Sequence, residues 1–232
     1  MNYWTKERIM NNNENKIFKP KAKLISITPD AEKHMAFIAR VSNPNNQNNP
    51  NISNLLKYCL DQGHFSVFEQ AHISIELEVQ LAIATQILRH RSFTFQMFSQ
   101  RYCDINKLDD TIPLFELRVQ DTKNRQSSHD TLNDELKEKY LFKIENHFAD
   151  TMRLYNEMLE DGIAKECARF ILPVATTTKL YITGNIRSFI FYIKEREKEG
   201  AQKEHRQVAK LIKNIFIEQL PILSEGLGWE KN

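Results

Sequence analysis

The fold is decided by residues 71–102, AHISIELEVQLAIATQILRHRSFTFQMFSQRY, where the hydrophobic pattern changes from the period of a strand to that of a helix. Apolar and polar residues alternate over residues 71–79, which predicts a strand with one buried face. Residues 81–88 have a helical composition and lead into the basic run Arg89-His90-Arg91. We therefore expect the basic run at the end of a helix, on a rigid scaffold, where functional residues are common.

The rest of the chain predicts further strands and long helices. Strands are expected at residues 23–28, 115–119 and 176–182. One helix is expected to begin at Pro29-Asp30 and another to end at Gly63. A long helix with an apolar stripe from 132 to 159 is expected to end at Gly162. Two more helices are expected, one from a cap at Asn185 to Arg196 and one over residues 202–220, before Pro221. A short helical turn is expected at 166–172.

These elements predict an α+β fold, with a small mixed or antiparallel sheet packed against long helices. A length of 232 residues suits a single domain. We place this domain at residues 21–232, after a polar, asparagine-rich arm at residues 1–20.

The composition excludes several classes of protein. A formal net charge of +2 is too small for nucleic-acid binding by bulk electrostatics, and the longest apolar runs are too short to span a membrane. The three cysteines form no C-x-x-C pair, which argues against disulfides and favours a reducing, cytoplasmic location. No histidines and acids have metal-ligand spacing, so no metal site is expected.

The arginines in residues 89–101 are candidates for anion binding. A guanidinium group fits phosphate oxygens two at a time, and phenylalanines between the charges suggest a partly dry surface. The alternative is a charged helix end whose arginines pair with neighbouring carboxylates. Arg169 and Arg187 favour the anion site, whereas Arg196 could equally be a surface residue of the charged run 194–198. The chain has six glycines and no glycine-rich phosphate loop.

The histidines outside this run have simpler interpretations. His64 follows Gly63 and is expected to be a cap or surface group, although it shares a segment with Ser66 and Glu69. His72 is expected to face outwards from a strand, and His205 to lie on the solvated face of a charged helix.

Five segments, in order, resemble the flavin-dependent thymidylate synthases. The family signature of R-H-R, about seven residues, then S and shortly R is matched by residues 89–91, Ser99 and Arg101. Further matches are GHFSVFE at 63–69, KNRQ at 123–126, ECARFILP at 166–173, and NIRS at 185–188 followed by Arg196 and AQKE at 201–204.

The resemblance implies a homotetramer with two ligands at sites shared between subunits. FAD would contact Arg89, His90 and Arg91, together with Ser66, Asn185 and Arg187 of a neighbouring subunit. The nucleotide dUMP would be held by Gln86, Ser99, Gln100 (through its backbone) and Arg101, with Arg169 and Arg196 completing the site across the interface. His64 would lie near the flavin and the folate.

The family reaction is the reductive methylation of dUMP to dTMP, with methylenetetrahydrofolate as carbon donor and NAD(P)H-reduced FAD as hydride source. The resemblance implies catalytic roles for Ser99 and for Arg196, which would stabilise enolate-like charge at the uracil carbonyl. The classical thymidylate synthases use a cysteine in a P-C-H/Q setting, whereas Cys59, Cys103 and Cys167 precede Leu, Asp and Ala.

Three residues depart from the family pattern, and two other functions are open. Met97 stands where a polar side chain is usual, Phe191 where an asparagine near the flavin is frequent, and Gly200 where a histidine is common. The alternatives are an RNA- or nucleotide-binding module that stacks bases on Phe93, Phe95 and Phe98, and an FAD-binding homologue without turnover.

Overall fold

The structure, a computed structural model, describes residues 17–109 and 111–230. These residues divide into two compact units, each discontinuous in sequence. The first unit comprises residues 17–19, Val79–Thr85 and Met97–Lys179, and the second comprises Pro20–Glu78, Gln86–Gln96 and residues 180–230. Most of the predicted N-terminal arm, residues 1–16, lies outside the described residues.

The described chain contains α-helices and β-strands in mixed order. The strands are β1 (Lys21–Ile27), β2 (His72–Gln80), β3 (Thr94–Met97), β4 (Val119–Gln120), β5 (Ser128–His129) and β6 (Thr177–Asn185). The helices are α1 (Ala31–Ala39), α2 (Ser53–Asp61), α3 (Leu81–Ile87), α4 (Asp134–Glu160), α5 (Lys165–Ala168), α6 (Ile186–Arg196), α7 (Lys203–Gln219) and α8 (Pro221–Gly226). Short 3₁₀ helices occur at Pro44–Asn46, Phe65–Glu69, Ile105–Lys107 and Arg169–Ile171.

A four-stranded sheet in the order β1-β2-β6-β3 forms the scaffold, and β4 and β5 form a separate hairpin. The strand β1 pairs antiparallel with β2, from Lys21 opposite Glu78 to Ile27 opposite Ile73. On β2, the alternation predicted from the sequence is confirmed, because Ile73, Ile75, Leu77 and Val79 are buried while the intervening side chains are half-buried or exposed.

The predicted α+β class, with an antiparallel sheet and helices, is confirmed, as are most of the predicted elements. The strand predicted at residues 115–119 is wrong: only Val119 and Gln120 form a strand, paired with Ser128 and His129. The sequence prediction also missed the strand β3 and the helix α8. Pro221 is expected from the sequence to end a helix, but it is also the first residue of α8, because proline is well suited to the first turn of a helix.

The core of the first unit forms on one side of the long helix α4. Asn133 caps this helix, because its side-chain oxygen accepts hydrogen bonds from the backbone N–H groups of Glu135 and Leu136. Tyr155 of α4 packs with Ile105 and Ala168, and Phe148 packs with Leu114 and Ala175. The predicted apolar stripe is therefore confirmed from Ile144 to Leu159, whereas Leu136 and Tyr140 at its start are exposed.

In the second unit, the helices α6 and α7 pack against each other, and α7 packs against β1. Asn185 caps α6 by accepting a hydrogen bond from the backbone N–H of Ser188 at 2.8 Å, as predicted. The buried side chains of both helices are Ile186, Phe189, Ile190, Tyr192, Ile193, His205, Val208, Ala209, Ile212 and Phe216.

Phe93 attaches the basic segment to this core. Its ring is buried and lies 4.6 Å from the ring of Phe189 and 5.7 Å from that of Tyr192, measured between centroids. The ring packs directly over Gly184 of β6, where a Cβ atom would lie 2.9 Å from Cε1 of Phe93 and closer still to Cδ1. The absence of a side chain at residue 184 is therefore what admits the aromatic ring.

We predict that Gly184→Ala destabilises the protein by about 1–3 kcal/mol, because the added methyl group would overlap the buried ring of Phe93, which packs on Phe189 and Tyr192. Urea unfolding measures the change. Gly200→Ala is the matched control, since no atom lies within 4 Å of a Cβ at that position. Equal stability of the two variants would contradict the packing of Phe93 over Gly184.

Candidate active site

The R-H-R run forms a tight turn at the end of α3. The backbone N–H of His90 donates to the carbonyl of Ile87 at 3.0 Å, and that of Phe93 donates to the carbonyl of His90 at 3.2 Å. Arg89 and Arg91 extend into solvent while His90 is half-buried. The buried Phe93 fixes the turn, so the three basic side chains leave the backbone in set directions.

His90 forms a hydrogen bond with Arg196 at the end of α6. The guanidinium Nε–H of Arg196 donates to Nε2 of His90 at 2.9 Å. Because an arginine nitrogen can only donate, His90 is neutral and carries its proton on Nδ1. Burial and the positive charge of Arg196 lower the pKa of His90, which preserves this arrangement.

This bond fixes the guanidinium group of Arg196 through one of its five donors. Among the described residues, no carboxylate pairs with Arg196, and its Nη groups are free to donate to a ligand. The interpretation of Arg196 as a surface residue of the run 194–198 is therefore wrong, since the side chain is half-buried against His90.

A separate group of hydrogen-bonded polar side chains lies beside His90. Nε2 of His205 lies 3.0 Å from the hydroxyl of Tyr192, and Nδ1 lies 3.1 Å from Oε1 of Gln86. Gln86 also donates to Oε1 of Gln202 at 2.6 Å. The expectation that His205 lies on a solvated face is wrong: it is fully buried, and its ring lies 6.3 Å from that of His90.

The interior setting keeps His205 uncharged. Burial, with the nearby positive charge of Arg196 and the His90 ring, lowers the pKa of His205 to about 3. Burial also raises the pKa of Tyr192, so its hydroxyl keeps its proton. The sequence contained a signal for this residue, because His205 continues the apolar stripe of α7 formed by Val208, Ala209 and Ile212.

The residues expected to bind flavin are all at or near the surface of the second unit. Arg89 and Arg91 are exposed and have no ion-pair partner within residues 17–109 and 111–230. Ser66 lies on the 3₁₀ turn at Phe65–Glu69, and the ring of His64 lies 5.8 Å from that of Tyr58, edge on. Unpaired arginines of this kind favour the interpretation as a site for an anionic cofactor over the alternative of a charged helix end whose arginines pair with carboxylates.

Two of these residues already have partners in the protein. The side-chain oxygen of Asn185 caps α6, and Arg187 forms an ion pair with Glu69. Arg187 also lies over the ring of Phe191, 5.6 Å from its centroid, and that ring lies 4.9 Å from the ring of Phe65. The departure at Phe191 therefore forms a half-exposed aromatic surface beside Arg187 in place of a polar group.

In the first unit, the structure brings Ser99, Gln100 and Arg101 together in one turn. The carbonyl of Ser99 accepts from the backbone N–H groups of Tyr102 and Cys103, and its hydroxyl-bearing side chain is exposed. Nε2 of Gln100 is buried and has no hydrogen-bond partner among the described residues. Arg101 forms an exposed ion pair with Glu166, with an Nη2–O distance of 3.0 Å.

Three other residues singled out in the sequence are Arg169, Met97 and Gly200. Arg169 begins a 3₁₀ turn and lies over the ring of Phe170 at 5.8 Å. Met97 is half-buried at the end of β3, and Gly200 is exposed. The structure places Gln86, His90 and Arg196 in one unit, and Ser99, Gln100, Arg101 and Arg169 in the other.

Two negative observations apply to the described part of the chain. Within it, no three histidine, cysteine, aspartate or glutamate side chains are grouped so that they could hold a metal ion. No helix among residues 17–109 and 111–230 is long and apolar enough to cross a membrane.

Comparison with known proteins identifies the family. The model of a family described as thymidylate synthase complementing protein matches residues 23–222. A probable flavin-dependent thymidylate synthase of Paramecium bursaria Chlorella virus 1 is 47% identical over 216 residues, which are 90% of this chain and 99% of the relative. The flavin-dependent thymidylate synthase of Synechocystis sp. is 43% identical over 195 residues, 84% of this chain and 88% of the relative.

The fold also matches a solved structure. The crystal structure of a UMP/dUMP methylase from Streptomyces cacaoi, bound with 5-Br dUMP, superposes with a TM-score of 0.78 over 91% of this chain and 96% of that one. With 20% sequence identity, this likeness concerns the fold alone.

The chain belongs to the thymidylate synthase complementing protein family, that of the flavin-dependent thymidylate synthases. It is a flavin-dependent enzyme of dTMP biosynthesis, and the predicted family, enzyme class, dUMP-to-dTMP reaction and FAD cofactor are confirmed. The roles of the individual site residues stay predictions.

We predict that stability falls with acid in a way that depends on His205. Below about pH 6.5 the unfolded chain binds a proton at this residue that the folded protein binds only near pH 3, so the free energy of unfolding decreases as pH falls through that window. The slope from one such group is at most about 1.4 kcal/mol per pH unit. His205→Asn removes it, so the difference in unfolding free energy from the wild type should shrink between pH 6 and 4 in urea titrations.

His34→Asn, which replaces an exposed histidine on α1, is the control for this measurement. The groups facing His205 that could contribute to the slope are His90, Arg196 and Tyr192, with Glu204 next to it on α7; all four are retained in both variants. Parallel pH profiles for the wild type and His205→Asn would show that His205 is not buried in the neutral form.

Proposed function

We propose that this enzyme forms dTMP by reductive methylation, with methylenetetrahydrofolate as the carbon donor and NAD(P)H as the source of electrons. The observation that carries the proposal is the hydrogen bond between His90 and Arg196, which ties the R-H-R signature to the arginine assigned to the uracil ring. Such a contact gives the arginine a set orientation before the substrate arrives, as catalysis by preorganised charge requires.

The overall reaction exchanges one bond on the pyrimidine. The hydrogen on carbon 5 leaves as a proton, and carbon 5 forms a bond to the methylene carbon of the folate. The two carbon–nitrogen bonds that hold this methylene group break, the folate nitrogens take up protons so that tetrahydrofolate leaves, and a hydride completes the methyl group. When bound, FAD supplies the redox chemistry by which NAD(P)H provides that hydride. The protein contributes binding, orientation and charge, and none of its cysteines is needed as a nucleophile.

Arg196 stabilises the negative charge that develops on the uracil carbonyl as carbon 5 becomes nucleophilic. Its Nε is held by the neutral His90, which leaves the Nη donors for the carbonyl oxygen. Because His90 carries no charge, it accepts this bond without repelling the guanidinium group. In a half-buried setting the charge of Arg196 is screened less than it would be in water.

Arg89, His90 and Arg91 are the residues that would hold FAD, with Ser66, Asn185 and Arg187 from a neighbouring subunit and His64 beside the flavin and the folate. The support is chemical. Arg89 and Arg91 are exposed and pair with no carboxylate of the described ranges 17–109 and 111–230, and the sequence has no glycine-rich loop, so these two arginines suit a pyrophosphate. Asn185 would have to bind with its amide nitrogen or backbone, since its oxygen caps α6.

The nucleotide dUMP is assigned to Gln86, Ser99, Gln100, Arg101, Arg169 and Arg196. The ion pair of Arg101 with Glu166 is exposed on both sides, so it contributes little and a phosphate dianion can displace the carboxylate at low cost. Ser99 offers an exposed hydroxyl in the same turn.

The active form is proposed to be a homotetramer in which subunits share these sites. Large apolar side chains are exposed on the first unit at Tyr102, Phe142, Phe170 and Val174, with exposed fractions of 88%, 66%, 81% and 69%. Exposure of this extent is typical of surfaces that other protein covers. Light scattering on the purified protein should give the mass of four chains, and the mass of one chain would contradict this assembly.

A cytoplasmic location agrees with the three free cysteines. The alternative of an RNA-binding module is not supported, since Phe93 is buried and Phe98 packs on the cluster around Ile105. The remaining alternative, a homologue that binds FAD without turnover, differs from the enzyme only in forming no dTMP, so a turnover assay distinguishes the two.

We expect the purified protein to be yellow or to become yellow with FAD, to be bleached by NADPH, and to form dTMP from dUMP and methylenetetrahydrofolate under anaerobic conditions. Flavin absorbance and product analysis measure these steps. A protein that binds FAD and is reduced but forms no dTMP would be the inert homologue.

Matched variants test the residue roles within the same assay. Arg196→Ala and Ser99→Ala should each reduce turnover at least about tenfold, as expected for the loss of a group that stabilises transition-state charge or holds the substrate. Lys194→Ala removes a nearby exposed positive charge from the same helix and should leave turnover unchanged. Equal effects of Lys194→Ala and Arg196→Ala would contradict the role of Arg196.

A further inference from the structure

Five side chains of the second unit form one continuous series of hydrogen bonds. The series runs from the hydroxyl of Tyr192 to His205 (3.0 Å), from His205 to Gln86 (3.1 Å), from Gln86 to Gln202 (2.6 Å) and from Gln202 to Glu204 (2.9 Å). Only Gln86 in this series is assigned to a ligand.

The acceptor at one end sets the direction of every bond. The carboxylate of Glu204 can only accept, so the Nε2 group of Gln202 donates to it and Oε1 of Gln202 accepts from Nε2 of Gln86. Oε1 of Gln86 then faces Nδ1 of His205, which must carry the proton. Nε2 of His205 is left as the acceptor for the hydroxyl of Tyr192. The carboxamide of Gln86 is thus held in one of its two possible orientations, with the oxygen towards His205 and the nitrogen towards Gln202.

We propose that His205 is a positioning residue for the nucleotide, because its Nδ1–H fixes the carboxamide of Gln86 in the orientation that binds the uracil ring. Held in this way, Gln86 retains one N–H donor and one oxygen lone pair, a set complementary to the N–H and carbonyl groups of a uracil edge. The inference rests on the assignment of Gln86 to dUMP in the proposed function.

The burial of His205 explains why the orientation is stable. Its side chain is fully buried on the apolar stripe of α7, where an unpaired polar atom would be costly. A flipped Gln86 would place its NH₂ group against the Nδ1–H and its oxygen against the oxygen of Gln202. Both contacts would then be repulsive, and the side chain of His205 has no solvent-accessible surface at which water could replace them.

Two substitutions distinguish the contributions of the two ring nitrogens of His205. In His205→Asn, the amide N–H takes the place of Nδ1–H and keeps the bond to Gln86. In His205→Gln, the amide oxygen takes the place of Nε2 and keeps only the bond to Tyr192. We expect the Kd for dUMP of the FAD-loaded enzyme, measured by calorimetry, to rise about tenfold in His205→Gln and to stay within about twofold in His205→Asn.

Tyr192→Phe is the matched control, since it removes the bond on the far side of His205 and should leave the Kd within about twofold. Each variant loses one buried hydrogen bond, so a purely structural role of His205 predicts that they weaken binding equally. Equal weakening would overturn the proposal. If His205→Gln does not fold, His205→Leu, which fills similar volume without a donor, should show the same tenfold rise.

Gln86→Ala distinguishes failure of this inference from failure of the proposed function. We expect it to weaken dUMP binding, and His205→Gln to add no further loss in the Gln86→Ala background, because the two residues act through one contact. Unchanged binding in Gln86→Ala would overturn both the assignment of Gln86 and the inference. Weakened binding in Gln86→Ala with unchanged binding in His205→Gln would overturn the inference alone.

Discussion

The packing of Phe93 over Gly184 is the contact on which the candidate site depends. It places the turn that carries Arg89, His90 and Arg91 against β6 and α6, so that His90 reaches Arg196 at the far end of that helix. The ring is buried, whereas the arginines on either side of it are exposed. One apolar side chain thereby gives direction to Arg89 and Arg91, which have no ion-pair partner among the described residues.

The electrostatic design of the second unit relies on neutral histidines beside a permanent positive charge. Burial keeps both His90 and His205 uncharged near Arg196, and each then acts through hydrogen-bond direction rather than charge. A neutral imidazole has one donor and one acceptor, so its partners define its tautomer. The guanidinium group of Arg196 keeps its positive charge, since no carboxylate in the part of the chain that the structure describes pairs with it.

Much of the scaffold could be predicted from the sequence because its signals are local. The alternation on β2, the stripe on α4 and the cap at Asn185 each depend on a few neighbouring residues. The strand β3 could not be predicted, since its four residues are defined by pairing with β6. Motif resemblance identified the candidate site residues, but the partners of Arg196 and His205 depend on contacts between distant segments. A charged composition around His205 concealed its place on the apolar stripe of α7.

The hydrogen-bond series through Gln86 also has a consequence for the order in which the molecule is assembled. Gln86 is separated by 116 residues from Gln202 and by 119 from His205, and His90 by 106 from Arg196. On the ribosome, the signature turn therefore emerges long before the residues that orient it. Until the last two long helices have been synthesised, Gln86 and His90 have no partners from that end of the chain. The contacts that orient Gln86 and His90 are thus completed late in biosynthesis.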